Sequence, residues 1–357
     1  MLDYDLHCHS NISDGTLTPT EVVERAASRG VKVLALTDHD DMDGLEEARS
    51  AATQHGMTFI NGVEISVSWR SHTLHIVGLG IAPEYPPLVE GLRGVRSGRG
   101  LRAQKMSDEL AKVGIGGVLE GAYHYAGNPK MISRTHFARY LVEAGHCKDV
   151  KSVFNRYLVK GKPGYVPHQW SALAEAIGWI CGSGGVAVLA HPGRYMSGRL
   201  GMGKKTMHEL LAEFVDFGGQ AIEVVTGSHT PEQYAEFARY AEQFNLLCSC
   251  GSDFHGPGES YRDMGRLPDF PLGCRPVWES WEAKIQTPGG TTDMTTSHLT
   301  NPAKDAGQVI GYSHSTKLSA EELLAGHPKD DSQVAGYPNL PLSGEEMIPL
   351  ARLRERG

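Results

Sequence analysis

VKVLALTDHD, residues 31–40, is an apolar run broken only by Lys32 and closed by a polar Thr-Asp-His-Asp. A strand with one wet face alternates in polarity; a continuous run belongs to a strand buried on both faces. Upstream, TPTEVVERAASRG (18–30) reads as a helix, with Thr18 or Thr20 as cap, Pro19 in the first turn and Gly30 as stop. Downstream, LEEARSAATQHG (45–56) reads as a second helix ending in glycine. A buried strand between two helices is the unit of a mostly parallel sheet or barrel. The run also ends on Asp38 and His39, at the strand edge where such folds build their active sites.

Working outward, strands are expected over 2–9, 57–67 and 73–81. The pattern changes at about 85. Helices are expected at 96–114 and 132–145, and residues 93–162 carry fourteen Lys and Arg against five Asp and Glu. The chain as a whole has a formal charge of −8, so this stretch is a helical insertion with its own electrostatic role. Alternation then returns: helices at 174–185, 208–219 and 231–245, strands at 186–193, 220–227 and 246–256. The expected organisation is a barrel from 1–90 and 171–286, a basic helical cap at 91–170, and a poorly ordered tail at 287–357. In the tail, only 319–326 and 345–356 hint at helix. No internal repeat is found.

The 357 residues are 40% hydrophobic and 21% charged, a globular composition. The acidic balance argues against a surface wholly given to nucleic acid. No apolar stretch is long enough to span a bilayer, and Asp3, Asp5 and His7 interrupt any leader-like run. The six cysteines lack zinc-type pairing and read as reduced thiols of a cytoplasmic protein.

Seventeen histidines are more telling, because many fall at strand ends. The first strand ends in His7 and His9, with Asp14 in the loop beyond. The second ends in His39, the third carries Glu64, the fourth His75, a later one ends in His191, and the last in Asp253 and His255. Residues i and i+2 of a strand share a face, so His7 pairs with His9 and Asp253 with His255, while Cys8 and Phe254 face away. Singly, Asp14 is a good turn residue and His39 or His75 an ordinary histidine. Glu64 is harder to dismiss, since a carboxylate in an apolar strand needs a partner. Nine imidazoles and carboxylates without thiolate suit manganese, zinc or iron, and are too many for one ion. Such centres serve hydrolysis, making hydroxide available at neutral pH and neutralising phosphate charge.

The segments DLHCHSNISDG, LTDHD, GVEIS, TLHIVG, AHPGR and GSDFH resemble the motif series of the PHP family (polymerase and histidinol phosphatase) over about residues 3–285. SRTHFARYLV, YLVKGKPGYVP, TGSHTPEQ and GSDFHGPGE are similar to its bacterial branch acting on 3',5'-nucleoside bisphosphates and on 5' ends of short RNA. The resemblance implies a distorted (β/α)7 TIM-like barrel and two or three divalent ions, foremost Mn, with Zn or Fe as alternatives. It implies a first ion on His7, His9, Glu64 and Asp253. A second would lie on Glu64, His75 and His191, and a third on Asp14, His39 and His255. A metal-bridged hydroxide would attack phosphorus, with His191, His255 and Arg134 as the catalytic groups.

The basic insertion is expected to bind substrate. Arg134, His136 and Ser133 lie in the segment that resembles the family's phosphate-contacting motif; Arg99, Lys130, Lys160 and Lys162 are further cations, and Tyr165 and Trp170 could stack a base. The implied substrates are 3',5'-bisphosphonucleotides and short 5'-phosphorylated RNA, with no membrane and no obligate protein partner. A phosphatase for another small ester, such as histidinol phosphate, predicts a compact chain without the insertion. A metal-bearing nucleic-acid module predicts large flanking sequence. Neither pattern is written here.

Overall fold

The computed structural model describes residues 2–196, 201–260 and 262–279. The expected tail, with its two helical hints, lies outside them. The first part of the chain runs β1 (Tyr4–Asp5), α1 (Pro19–Ser28), β2 (Val33–Leu36), α2 (Leu45–Gln54), β3 (Thr58–Trp69) and β4 (His72–Leu79). Next come α3 (Pro86–Ser97), α4 (Arg99–Ala111), α5 (Val118–His124), α6 (Arg134–Glu143) and α7 (Val150–Val153). The chain then continues β5 (Ser171–Ala172), α8 (Leu173–Gly182), β6 (Val186–Leu189), α9 (Pro192–Met196), α10 (Lys204–Asp216), β7 (Ala221–Thr226), α11 (Pro231–Gln243) and β8 (Leu247–Gly251).

The sheet order is β1-β2-β3-β4-β6-β7-β8, with β5 added to β3. Its two ends meet. Leu6 N–H donates to the Cys250 carbonyl (3.1 Å), Asp253 N–H to His7 (2.8 Å) and His9 N–H to Phe254 (2.9 Å). The result is a distorted seven-stranded α/β barrel, as expected. Closure requires β8 to pass very near β1 at Gly251, where a Cβ would lie 2.2 Å from that of His7.

The expected mostly parallel sheet is interrupted by β4, which runs antiparallel to β3 and to β6. Only Arg70 and Ser71 separate β3 from β4, and Arg70 takes φ +50°. So short a link can only reverse the chain; a parallel return needs a crossover. The strands expected at 2–9 and 246–256 keep regular pairing only over Tyr4–Asp5 and Leu247–Gly251. Beyond that they touch at the single bridge Cys8–Phe254.

The helix expected at 96–114 begins earlier and is two helices. Pro86 opens α3, and Gly98 separates it from α4. α3 packs Leu88 and Leu92 into the barrel's main apolar cluster. From α4 onward a separate cluster forms around Met106, Leu110, Phe137, Leu141 and Leu158. The cap therefore has a core of its own, and each fully buried side chain there contributes roughly 1.5–3 kcal/mol. A third cluster, with Cys8, Val22, Leu34, Leu36 and Phe254, fills the space between β2 and helices α1 and α2. Thr18 caps α1 in a reciprocal box with Glu21. Among the described residues no helix is long and apolar enough to cross a membrane.

Candidate metal centre and phosphate cradle

All nine residues singled out at the strand ends converge on one mouth of the barrel. Asp14 arrives on the loop after His9, and three routes bring the other eight there. His7, His9, Asp253 and His255 come from the segments that close the barrel. Glu64 comes from the middle of β3, and His75 from the early part of β4, whose antiparallel direction puts that part, not its end, at the mouth. His39 and His191 follow β2 and β6. Cys8 and Phe254 lie on the opposite face, in the apolar cluster behind β2.

The distances sort the side chains into overlapping groups. His9 Nε2 lies 3.2 Å from His7 Nε2, 3.3 Å from Glu64 Oε2 and 3.2 Å from Asp253 Oδ1. His7 Nε2 is 3.3 Å from Glu64 Oε1 and 3.5 Å from Asp253 Oδ1. Glu64 Oε1 is also 2.9 Å from His75 Nδ1 and 3.0 Å from His191 Nε2, which are 3.3 Å apart. Asp14 Oδ1 lies 3.4 Å from His255 Nε2 and 3.7 Å from His39 Nε2, and His9 joins that group. His39 also reaches Glu64 Oε2 through Nδ1, at 2.9 Å.

Some of these contacts are hydrogen bonds, such as those of Glu64 Oε1 to His75 and His191, but others are not. Asp14 Oδ1, Glu64 Oε2, Asp253 Oδ1 and His39 Nδ1 are buried with no hydrogen-bond partner, although ring nitrogens or carboxylate oxygens stand nearby. Lone pairs that converge on a point rather than on each other suit a cation. Donors held about 2.0–2.1 Å from a tetrahedral centre sit roughly 3.3–3.4 Å apart, which the first group matches. The oxygen-and-imidazole set fits a divalent first-row ion.

Electrostatics agree. Burial alone would raise the Glu64 carboxyl, but His75, His7 and His39 hold it well below the carboxylate range. Asp253 is held down against burial by Arg194, His255 and His7, and Asp14 by His39 and His255. Burial and Arg194 push His191 down to about 3, so its ring is neutral. Strain gathers here too: Asp40, His191 and Asp253 take φ of +48°, +29° and +55°.

Several supporting groups surround the centre, and of these the sequence reading named only Asp38. Buried Glu223 accepts from His7 Nδ1 (2.7 Å) and from the His191 N–H (2.6 Å). This fixes the His7 tautomer with Nε2 facing the centre. Its signal was available, a carboxylate inside the apolar strand QAIEVVTG, the same sign that marked Glu64. Arg194 pairs with Asp253. Asp38 accepts from Ser10 N–H, Ser10 Oγ and Ser13 Oγ, bracing the loop that carries Asp14. Arg139 of α6 binds Glu259 and the Asp14 carbonyl (2.6 Å), tying the cap to two ligand loops. Nothing in SRTHFARYLV distinguishes Arg139 from a surface cation until it is folded.

Of the expected substrate contacts, Arg99, Ser133 and Arg134 line one small cleft together with Arg102, which the sequence reading passed over. Arg99 pairs with Asp40, yet its buried Nε has no partner. Arg102 donates to the Val166 carbonyl (3.2 Å) and Arg134 to that of Leu158 (3.4 Å). Burial, reinforced by Arg134 and Arg99, lowers Arg102 to about 9. Three clustered guanidiniums with one carboxylate among them call for an anion. Ser133 Oγ donates to Asp14 Oδ2 (3.2 Å), so the cleft adjoins the centre. His136 is buried, accepting from the Ser133 N–H at Nδ1 (3.0 Å) and bonding to the Ser13 backbone; it joins the cap to the Asp14 loop. Lys130 and Lys160 are exposed.

Residues 5–227 match the PHP domain family. The chain is 53% identical over 288 residues to the 3',5'-nucleoside bisphosphate phosphatase of Chromobacterium violaceum, covering 81% of this chain and 99% of that one. It is 42% identical over 286 residues to the 5'-3' exoribonuclease Rnm of Escherichia coli, covering 80% and 95%. The structure of a candidate metal-dependent phosphoesterase from Bifidobacterium adolescentis superposes with a TM-score of 0.66 at 26% identity, covering 78% of this chain and 94% of that one.

Proposed function

The chain belongs to the PHP domain family, and from that premise we propose that it is a metal-dependent phosphoesterase removing the 3'-phosphate of 3',5'-nucleoside bisphosphates. Short 5'-phosphorylated RNA is the second substrate, trimmed from its 5' end. The observation that carries this reading is the arginine cleft beside the carboxylate and imidazole centre. One site suits the phosphate being cleaved, the other a phosphate that stays.

In this reading His7, His9, Glu64 and Asp253 hold one divalent cation and Glu64, His75 and His191 a second. Asp14, His39 and His255, with His9, hold a third; manganese is the ion proposed. Bound there, divalent ions supply a water of lowered pKa and neutralise charge on the phosphate. The chain's residues do the rest. Glu223 keeps His7 in the tautomer that turns its Nε2 lone pair inward. The neutral ring of His191 does the same from the other side. Arg99, Arg102 and Arg134 hold the 5'-phosphate through charge-assisted bonds and fix the distance to the 3' ester. Ser133 and Arg139 keep that cleft in register with Asp14.

The test is phosphate release from adenosine 3',5'-bisphosphate with added manganese, against 3'-AMP, 5'-AMP and histidinol phosphate. Loss of the 3'-phosphate alone, with 3'-AMP a far poorer substrate, is expected. Equal turnover of all four, or a preference for histidinol phosphate, would remove the substrate assignment.

A further inference from the structure

The turn His191-Pro192-Gly193-Arg194 follows β6 and is strained at its first residue, where His191 takes φ +29°. Such a backbone persists only when its surroundings hold it at several points. The His191 N–H donates to Glu223 Oε2 (2.6 Å), Pro192 has no N–H, and the Arg194 N–H turns back to the His191 carbonyl (3.0 Å). The remaining donor of the turn is the Gly193 N–H, and it donates to Nε2 of His229 (2.9 Å).

His229 lies in TGSHTPEQ, the connection between β7 and α11. Its side chain is buried and stacks on Phe237 of α11, with ring centroids 4.7 Å apart. Its other nitrogen, Nδ1, faces the Val224 carbonyl (3.0 Å). A ring nitrogen opposite a carbonyl must carry a proton, and one opposite an N–H must carry a lone pair. This ring is therefore neutral, with its proton on Nδ1. An apolar side chain could fill the space against Phe237; what imidazole adds is the acceptor. The contact is tight as well: a Cβ at Gly193 would lie 2.6 Å from His229 Cδ2 and 2.7 Å from Gln233 Nε2, so the turn can come this near only as glycine. The next residue repeats the link, since Arg194 Nε donates to Ser228 Oγ (3.2 Å).

The anchored turn serves one group of ligands above the others. His191 Nε2 stands 3.0 Å from Glu64 Oε1 and 3.3 Å from His75 Nδ1. His7, His9 and Asp253 are fastened differently, by the backbone bonds that close the barrel. Arg194 does reach Asp253 from this turn, but the Asp253 N–H is itself held by the His7 carbonyl (2.8 Å).

We propose that His229 is a positioning residue for the second cation: by accepting the Gly193 N–H it fixes the turn that aims His191 at the point shared with Glu64 and His75. The inference rests on the phosphoesterase reading and deepens it, since it makes the occupancy of one ion depend on a residue that touches none.

The experiment measures manganese bound per chain, by titration against a competing chelator, in the parent, His229→Ala, Gly193→Ala and His229→Gln. Gly193→Ala leaves the ring in place and pushes the turn off it from the other side. His229→Gln returns an acceptor at the place of Nε2. Both alanine variants are expected to bind one ion at least about tenfold more weakly with the others unchanged, and His229→Gln to restore that ion to within about twofold of the parent. Parent-like binding in both alanine variants would overturn the inference. So would equal weakening of every ion, the mark of a ring that serves the fold alone, and so would a glutamine variant no better than His229→Ala. A parent that binds ions but releases no phosphate from adenosine 3',5'-bisphosphate fails the phosphoesterase reading, while the metal count still decides on His229. A parent that binds no divalent ion fails both.

Discussion

At the scale of single residues, the centre is a problem of buried charge. Three carboxylates and six imidazoles share one barrel mouth, and most are inaccessible to water. Unpaired, each buried ion would cost several kcal/mol, so the orienting groups matter as much as the ligands. Glu223 is the clearest, since it holds both a ring and a backbone N–H. Glu223→Gln should weaken divalent-cation binding about 10–100-fold, read by titration against a competing chelator, with KM at saturating metal little changed. Arg134 makes the opposite prediction. Arg134→Ala removes a charge-assisted contact of about 1.5–3 kcal/mol, so KM for adenosine 3',5'-bisphosphate should rise tenfold or more while bound metal per chain stays the same. A parallel loss of metal would move Arg134 from the substrate to the centre. The nine residues of the centre could be read from the sequence because all but Asp14 sit at a strand end or inside an apolar strand. Arg102 and Arg139 could not, because a cation on a helix carries no mark of which neighbour it will meet.

At the scale of elements, the cap's attachment is what joins cleft to centre. α6 is capped by Ser133, whose side chain accepts the Thr135 N–H, while His136 accepts the Ser133 N–H. Burial, reinforced by Arg139 and Arg99, lowers His136 to about 4. An unfolded histidine titrates near 6.5, so on acidification the unfolded chain takes up this proton first. The stability His136 contributes is therefore complete above about pH 6.5 and lost as pH falls towards 4, on the order of 2–3 kcal/mol. Urea midpoints measured from pH 7 to 4 should fall less steeply in His136→Gln than in the parent. Identical slopes would show that this ring does not set the acid limit. Two helices of the cap, α4 and α6, were legible from their cations and periodicity, but α5, α7 and the split at Gly98 were not. α3 and α4 form one unbroken polar pattern, and only packing assigns the first to the barrel core and the second to the cap.

At the scale of the whole molecule, the barrel closes through its first and last strands, and four of the nine residues of the centre come from the segments that close it. Metal binding should therefore stabilise the fold globally. Addition of manganese in large excess over its dissociation constant should raise Tm, by about 2.7 kcal/mol of stability at a hundredfold excess, and chelator should reverse it. A chelator-insensitive melt would count against the centre. The match to the Chromobacterium relative spans 288 residues, 81% of this chain and 99% of that one. A chain ending at residue 286 should thus keep kcat/KM within about twofold; a larger loss would assign the remaining residues a role in catalysis.

By itself the sequence determined the class of fold, the nine residues that meet at the barrel mouth and the chemistry they suit. Those follow from local rules: burial on two faces forces an apolar run, strand periodicity fixes which side chains share a face, and functional groups gather where parallel strands end. Only the tertiary structure decided the direction of β4, the grouping of the ligands, the service of Glu223 to His7 and His191, and the meeting of Arg99, Arg102 and Arg134. Each depends on contacts between residues far apart in the chain. Their partners are chosen by barrel closure and by the packing of the cap, and no local pattern encodes them.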